Sequence, residues 1–337
     1  MKKFSNIILM GFIVLIAGFL AGCSDASSSD GKTYTITLPH VVPEDQSSHI
    51  NTVDFKNEVE EKSDGQIKVE IFPNGSLYGS EREIVEAVQL GNAQMAIVGT
   101  PSLAGFKESF MVIDLPFIFK TREAAHKAFD GELGERLNGD LEDVGLVGLG
   151  IGENGFRHVL NNKQPITKPE DLQGLKLRVM ENKLYQDIFN TLGANASPLA
   201  FGELYTAMQQ GTYDGMDQPV ALAYNNKFYE VQDYMSLTGH VYAGVAFVAS
   251  KEFMDGLPDD LRTIVEEAGQ RFAVENRELA FEQDTKYLDE LEAEGLEINE
   301  VTEEQKEVFL DALQPVYETY EEVLGKDLID LAQSFNE

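Results

Sequence analysis

Strand-like and helix-like patterns take turns along the first third of the chain. KTYTITLPH alternates apolar and polar residues, as a half-buried strand does, and the stretch after Pro43 carries Ile50, Val53 and Val59 at helical spacing. The two patterns then repeat, because QIKVEIF alternates, SEREIVEAVQLGN has helical spacing and AQMAIV is a short apolar run. Strands that alternate with helices predict an α/β fold with parallel strands joined by helical crossovers.

The second half of the chain keeps this alternation but has longer helices. GLKLRV reads as a strand, NKLYQDIFNTLG has an apolar helical face, and residues 258–293 have the pattern of one long charged helix. Pro315 is expected to interrupt or kink the last helical region. A chain of 337 residues is long enough for about two domains.

Two lysines and a long apolar run open the chain, which is the pattern of a signal peptide at residues 1–22. The run is too short, and too closely followed by polar residues, to predict a transmembrane helix. It ends in LAGC, which resembles the lipobox of bacterial lipoproteins and implies cleavage before Cys23 and lipidation of its thiol; the alternative is a free structural cysteine. Residues 23–31 are a polar tether. We therefore expect a membrane-anchored lipoprotein in the periplasm or on the outer face of the cell membrane.

The composition argues against several classes of function. The 58 acidic and 26 basic residues give a formal charge of -32, so neither nucleic acid nor an anionic lipid surface is expected as a partner. Cys23 is the only cysteine, which leaves no disulfide within the chain and no cysteine-based metal site. The five histidines lack the spacing of metal ligands. We expect neither a metal nor a cofactor.

One glycine motif requires an explanation. GIGENG, from Gly150 to Gly155, matches the GxGxxG pattern of dinucleotide-binding proteins and follows a strand-like run. In those proteins a helix follows the motif, so that its N-terminus can meet the pyrophosphate. Here the residues that follow, FRHVLNNKQPI, are strand-like and end near Pro165. The motif is therefore interpreted as a glycine-rich crossing between two domains.

Two arginines lie in stretches that otherwise read as buried strands. Arg178 lies between Leu177 and Val179 in GLKLRVMENK, and Arg157 lies in ENGFRHVLN, beside the glycine motif. An arginine keeps its charge, so an interior position favours an anionic partner. Either residue could instead be exposed or salt-bridged. Because both occur at strand-like sites in the same half of the chain, we predict an anion-binding site.

The run from ENGFR to LTGH, residues 153–240, resembles the core of the solute receptors of tripartite ATP-independent periplasmic (TRAP) transporters. The combined pattern DLxGLKxR followed by PxxxxExYxAxQxGxxDG carries the resemblance, which extends over nearly all of the chain after the tether. It implies a two-domain α/β flytrap with mixed sheets flanked by helices, a long helix that spans both domains, and a cleft for an organic acid. The implied domains are residues 32–154 with 244–283 and residues 155–243 with 284–337.

The resemblance also implies which residues bind the solute. Arg178 is expected to pair with the carboxylate, Arg157 to assist, and Phe201 to form an aromatic wall. The family commonly has an asparagine preceded by glutamate where this chain has Gln218 preceded by Asp217, and this departure leaves the exact acid open. Three residues of the other domain are also expected to line the cleft: His40, Glu81 and Arg82.

Binding without turnover is the function that these features favour. The chain lacks the GxSxG, HExxH and GxxxxGK[ST] motifs of hydrolases and nucleotide-binding proteins. We expect a solute receptor that passes a small organic acid to the membrane subunits of a TRAP transporter, which an ion gradient drives. A binding lipoprotein of an ATP-driven importer and a surface-anchored hydrolase are the alternatives. The sequence does not choose among sugar acids, C4-dicarboxylates, keto acids and aromatic acids.

Overall fold

The computed structural model describes residues 32–337, of which Tyr34–Glu337 form one compact unit. The predicted signal peptide, the tether and Cys23 lie outside the described residues. Strands and helices alternate along the unit, so the predicted α/β class is confirmed. In the described part of the chain, no helix is long and apolar enough to cross a membrane.

Three groups of elements follow one another along the unit. The first group contains short strands and helices: β1 (Tyr34–Pro39), α1 (Ser47–Lys62), β2 (Ile67–Phe72), α2 (Glu81–Gln89) and β3 (Met95–Gly99). The second group includes the two longest strands, β4 (Leu146–Asn161) and β8 (Tyr234–Ser250). Its other elements are α3 (Arg122–Phe129), α4 (Glu132–Glu142), β5 (Lys176–Val179), α5 (Lys183–Thr191), β6 (Asn195–Pro198), α6 (Leu204–Gln209), β7 (Gly215–Pro219) and α7 (Val220–Asn225). The third group is mainly helical: α8 (Lys251–Asp255), α9 (Asp259–Ala293), β9 (Glu297–Glu300), α10 (Glu303–Ala312), α11 (Gln314–Leu324) and α12 (Lys326–Ser334). Pro315 lies in the first turn of α11, where its missing N–H costs no helical hydrogen bond, and the predicted interruption is confirmed.

The strands form a two-stranded parallel ribbon of β1 and β2 and a larger mixed sheet. The order in the larger sheet is β3-β8-β4-β7-β5-β6, and β9 also pairs with β8. Strands β4 and β8, of 16 and 17 residues, run antiparallel beside each other, whereas β5 pairs in parallel with β6 and β7. The predicted parallel pairing therefore holds for β1 and β2 but is wrong for β3, because β8 returns from the second half of the chain as its antiparallel partner.

Helix α9 confirms the long helix predicted at residues 258–293 and explains the glycine motif. It lies so close to β4 that a Cβ on Gly150 would come within 2.8 Å of the Cβ of Ala273. Gly152 and Gly155 also face residues of α9 that leave no room for a side chain. Strand β4 continues through the motif, so no helix follows it. The glycines thus allow a helix to approach the strand closely. In dinucleotide-binding proteins the glycines of the motif instead allow the backbone to approach a pyrophosphate.

The segment between β3 and β4 packs against the C-terminal helices. Tyr317 of α11 donates a hydrogen bond from its hydroxyl to the main-chain oxygen of Pro116 at 2.7 Å. Asn336 donates from Nδ2 to the main-chain oxygen of Ile118 at 2.8 Å. These contacts join parts of the chain that the resemblance assigns to different domains. The two domains implied by the resemblance, residues 32–154 with 244–283 and residues 155–243 with 284–337, therefore stay a prediction.

Candidate functional site

A cavity of about 760 Å³, a volume that includes its opening to solvent, lies at the ends of β3 and β5 and beside β4, β7 and β8. Its wall contains charged and amide side chains: Glu81, Arg82, Asn154, Arg157, Arg178, Glu181 and Gln218. The apolar part of the wall is formed mainly by Val41, Val42, Pro101, Phe106, Met180, Phe201 and Leu222. The structure thus brings together most of the predicted binding residues, which are Glu81, Arg82, Arg157, Arg178, Phe201 and Gln218.

Strand β5 brings Arg178 into the cavity wall. Its neighbours Leu177 and Val179 are buried in the apolar core, and alternation along the strand directs Arg178 to the opposite face. The Nε and Nη2 atoms donate to the main-chain oxygen of Leu199 at 2.9 and 2.6 Å, whereas the buried Nη1 has no hydrogen-bond partner. Burial and repulsion from Arg157 lower the pKa of Arg178 to about 10, so the guanidinium is still charged at neutral pH.

Arg157 on β4 is equally buried but already has a counterion. Its Nε forms an ion pair with the carboxylate of Asp217 on β7, and its Nη2 donates to the main-chain oxygen of the same residue at 2.5 Å. The guanidinium carbon also lies 5.2 Å from the centre of the Tyr185 ring. Burial favours the neutral form of Arg157, but Asp217 outweighs burial and raises the pKa. Burial likewise opposes ionisation of Asp217, yet Arg157 and His240 hold the pKa of this carboxyl below its usual range.

The N-terminus of α2 places Glu81 in another part of the wall. Ser80 caps this helix, because its hydroxyl oxygen accepts a hydrogen bond from the main-chain N–H of Glu83 at 3.2 Å. The Oε1 atom of Glu81 accepts from the main-chain N–H of Gly99 at 2.8 Å, and Oε2 accepts from the hydroxyl of Ser102 at 2.5 Å. Burial raises the pKa of Glu81, although these hydrogen bonds and the charges of Arg178 and Arg157 act in the opposite direction.

Two amides and a ring complete the wall. Gln218 on β7 is buried, and Asn154 on β4 has a buried Oδ1 with no hydrogen-bond partner. Phe201 is half-buried and meets Phe228 edge-on, with ring centroids 6.4 Å apart, and it contributes an aromatic ring to the wall. Sequence reasoning did not single out Asn154, although its place inside the GIGENG motif was an available signal. The residues directly after β5, Met180 and Glu181, were missed as well.

Two predicted contact residues do not belong to the wall. His40 is buried, and its Nε2 lies 3.0 Å from Nδ1 of His49. Burial and the neighbouring His49 lower the pKa of His40 to about 3, so its ring is neutral at neutral pH. The two valines that follow it line the cavity instead. Asp217 is engaged by Arg157, so we assign it to the support of that arginine and leave both residues out of the proposed contacts.

The wall therefore offers one buried guanidinium without a counterion, amides that both donate and accept hydrogen bonds, and a carboxylate held by two donors. Among residues 32–337, no group of three or more His, Cys, Asp or Glu side chains could hold a metal ion. Such an arrangement suits the capture of a small anion that also carries hydrogen-bonding groups.

Comparisons with known proteins agree with this chemistry. The family model DctP, described as bacterial extracellular solute-binding protein, family 7, matches residues 38–323. The C4-dicarboxylate-binding periplasmic protein DctP of Rhodobacter capsulatus is 36% identical over 299 residues, which cover 87% of this chain and 88% of that protein.

Two solved structures of TRAP periplasmic solute-binding proteins share the fold. The protein from a Polaromonas species, bound to D-erythronate, has a TM-score of 0.86 at 34% identity, over 89% of this chain and 98% of that one. The protein from Sulfurospirillum deleyianum, with bound succinate, has a TM-score of 0.85 at 33% identity, over 90% of this chain and 99% of that one. The chain thus belongs to family 7 of the bacterial extracellular solute-binding proteins, the two-domain α/β solute receptors of TRAP transporters.

Proposed function

We propose that this protein captures a small organic acid in the cavity, outside the cytoplasm, and delivers it to the membrane subunits of a TRAP transporter. The observation that carries the proposal is the Nη1 atom of Arg178, which is buried in the cavity wall without a partner. A buried cation is costly unless an anion compensates it. A solute carboxylate can accept hydrogen bonds from Nη1 and from the second N–H of Nη2.

The other wall residues have supporting roles in this proposal. Arg157 assists from a neighbouring strand, but it adds little net charge because Asp217 compensates it. Gln218 donates hydrogen bonds to polar groups of the solute and accepts hydrogen bonds from them, and Phe201 covers the apolar face of the solute. The relatives support an acid as the solute: the Rhodobacter protein is named for C4-dicarboxylates, and the two structures contain D-erythronate and succinate.

The wall favours binding without chemical conversion. Its one hydroxyl group among the described residues, that of Ser102, donates to Glu81, and a carboxylate is too weak a base to activate an alcohol strongly. No histidine of the described part of the chain lines the cavity. These points do not favour a surface-anchored hydrolase, and the family does not favour an ATP-driven importer.

Calorimetric titration with the best acid from a thermal-shift panel tests the role of Arg178. Arg178→Ala should weaken binding by about 2–5 kcal/mol, because it leaves the solute carboxylate desolvated without a partner. Arg136→Ala is the matched control, since it removes an exposed arginine that pairs with Asp327 outside the cavity, and it should bind like the wild type. Binding of Arg178→Ala within about threefold of the wild type, or under about 0.7 kcal/mol, would contradict the proposal.

We also propose that a lipid on Cys23 holds the protein at the membrane. The LAGC sequence and the polar residues that follow it support this anchor. Cys23→Ser should release the protein from the membrane fraction, while the purified variant keeps the solute affinity of the wild type. Cell fractionation with a carbonate wash measures the release, and retention of the serine variant after the wash would count against the anchor.

A further inference from the structure

The charges around the cavity limit the class of acid that fits. Five charged side chains line the described wall: Glu81, Arg82, Arg157, Arg178 and Glu181. Two of the three cations are compensated inside the protein. Asp217 compensates Arg157, and Glu86 lies 3.1 Å from Arg82, which is exposed. Arg178 is the buried cation whose partner is a neutral carbonyl oxygen, so the wall offers one strong position for a carboxylate.

The acidic residues of the wall oppose a second negative charge on the solute. Glu81 is fixed by its hydrogen bonds from Gly99 and Ser102, so it cannot turn away from the cavity without the loss of both. Glu181 lies just beyond β5. With one carboxylate of a dicarboxylate at Arg178, the charged side chains of the described wall that remain without an ion pair for the other are these two glutamates. Like charges in such a small space repel each other.

The unpaired acceptors of the wall require donors from the solute. The Oδ1 atom of Asn154 is buried with no partner. Each carboxylate oxygen of Glu81 accepts one hydrogen bond from the protein and has a further lone pair. A buried acceptor without a donor costs free energy, and solute hydroxyls would supply donors. A dicarboxylate without hydroxyls carries no donor at neutral pH.

We infer that the solute is a hydroxylated monocarboxylate of the sugar-acid class and that Glu81 selects against a second carboxylate. The inference rests on the proposed function of the cavity and specifies its solute. Arg178 receives the single carboxylate, while Asn154 and Glu81 accept hydrogen bonds from the hydroxyls. Glu81 thus favours hydroxyl groups and disfavours carboxylates at the same position in the cavity.

Acids of equal chain length separate the two classes of solute. Erythronate, succinate and butyrate share a four-carbon chain, and galactonate and adipate form a six-carbon pair. Calorimetric titration of the wild type should show that a hydroxylated monocarboxylate binds at least about tenfold more tightly than the dicarboxylate and the unsubstituted acid of the same length. If succinate, adipate or butyrate binds as tightly as its hydroxylated counterpart, the inference is wrong although organic-acid binding stands. If none of the five acids binds but another acid of the thermal-shift panel does, the inference is wrong and the proposed function stands; if no acid of the panel binds, both fail.

Glu81→Gln tests the selecting residue, because it keeps the shape of the side chain and removes its charge. The affinity ratio of erythronate to succinate should fall at least about tenfold in this variant, mainly because succinate gains. Glu61→Gln removes an exposed charge from the last turn of α1, and it should leave the ratio within about twofold of the wild type. Thermal unfolding without solute checks that both variants are folded. An unchanged ratio in a folded Glu81→Gln variant would overturn the role of Glu81.

Discussion

Two buried arginines flank strand β7, and they differ in their partners. Arg157 on β4 holds the carboxylate of Asp217, whereas Arg178 on β5 holds the carbonyl oxygen of Leu199 and keeps Nη1 free. The two residues are 3% and 2% exposed, so burial does not distinguish them. The two arginines differ in their counterion. Arg157 forms an ion pair with Asp217 within the folded chain, whereas Arg178 forms an ion pair only when an anion binds in the cavity.

We propose that this difference links solute binding to closure of the cavity. A buried cation without a counterion is costly, so a closed and empty cavity is disfavoured around Arg178. A carboxylate would remove that cost, so we expect it to bind a closed form more tightly than an open one. Arg157 contributes no such dependence, because Asp217 compensates it whether or not solute is present.

Removal of the internal counterion should produce the largest effect. Asp217→Asn leaves the charge of Arg157 buried without a carboxylate, and we expect the free energy of unfolding without solute to fall by about 3–5 kcal/mol. Arg178→Ala breaks no ion pair, and it should change this free energy by less than about 1 kcal/mol. Denaturant unfolding followed by circular dichroism measures both variants. Equal destabilisation would erase the distinction between the two arginines.

A change of cation at Arg178 should have a smaller effect, seen in affinity. Arg178→Lys keeps the charge but loses the planar fork, so it cannot bond the Leu199 oxygen and a solute carboxylate in the same geometry. We expect a loss of about 1–3 kcal/mol in binding free energy, less than for Arg178→Ala, by calorimetric titration. A lysine variant with wild-type affinity would show that a point charge is sufficient.

The smallest expected effect is a dependence on pH. Although burial opposes ionisation of Asp217, Arg157 lowers its pKa on folding, so the ion pair stabilises the folded state above the unfolded-state pKa of about 4. This stabilisation is lost as the pH falls towards the folded-state pKa. The difference in unfolding free energy between the wild type and Asp217→Asn should be constant from about pH 7 to pH 5. It should then shrink by about 1 kcal/mol between about pH 4 and pH 2.

Unfolding curves at a series of pH values measure this difference. The same difference for Arg178→Ala should change far less, because Arg178 forms no ion pair with a carboxylate in the protein. A gap between the wild type and Asp217→Asn that widens on acidification would contradict the assignment of Asp217 as the internal counterion.

The features that could be predicted are those with a strong local signal. A charge between Leu177 and Val179 stands out in an apolar strand, and the structure places Arg178 on the face opposite these two buried residues. Apolar residues keep helical spacing from residue 258 to residue 293, a run too long for a strand. Helix α9 begins and ends within a residue of this range. The position of Arg157 was predictable in the same way, although its pairing with Asp217 was not.

The features that sequence reasoning missed depend on contacts between distant residues. Ile50 is one of the apolar residues whose helical spacing predicted α1, yet it is 37% exposed. The inner face is largely polar, because Ser47 accepts a hydrogen bond from Asn276 and donates its main-chain N–H to Gln283, both on α9. His40 follows its strand as expected, but the ring lies against His49. The spacing of apolar residues along the sequence carries no information about contacts between polar side chains of distant segments.

The group that orients Arg178 is the main-chain oxygen of Leu199, and a peptide carbonyl is retained whatever side chain residue 199 carries. During evolution, Glu81, Asn154 or Gln218 can therefore be substituted one at a time while the guanidinium of Arg178 keeps its orientation. A receptor built in this way can acquire a new nutrient through single substitutions, with no intermediate that has lost its hold on carboxylates. The solute specificity of such receptors can then diverge while the main-chain oxygen that orients the arginine stays in place.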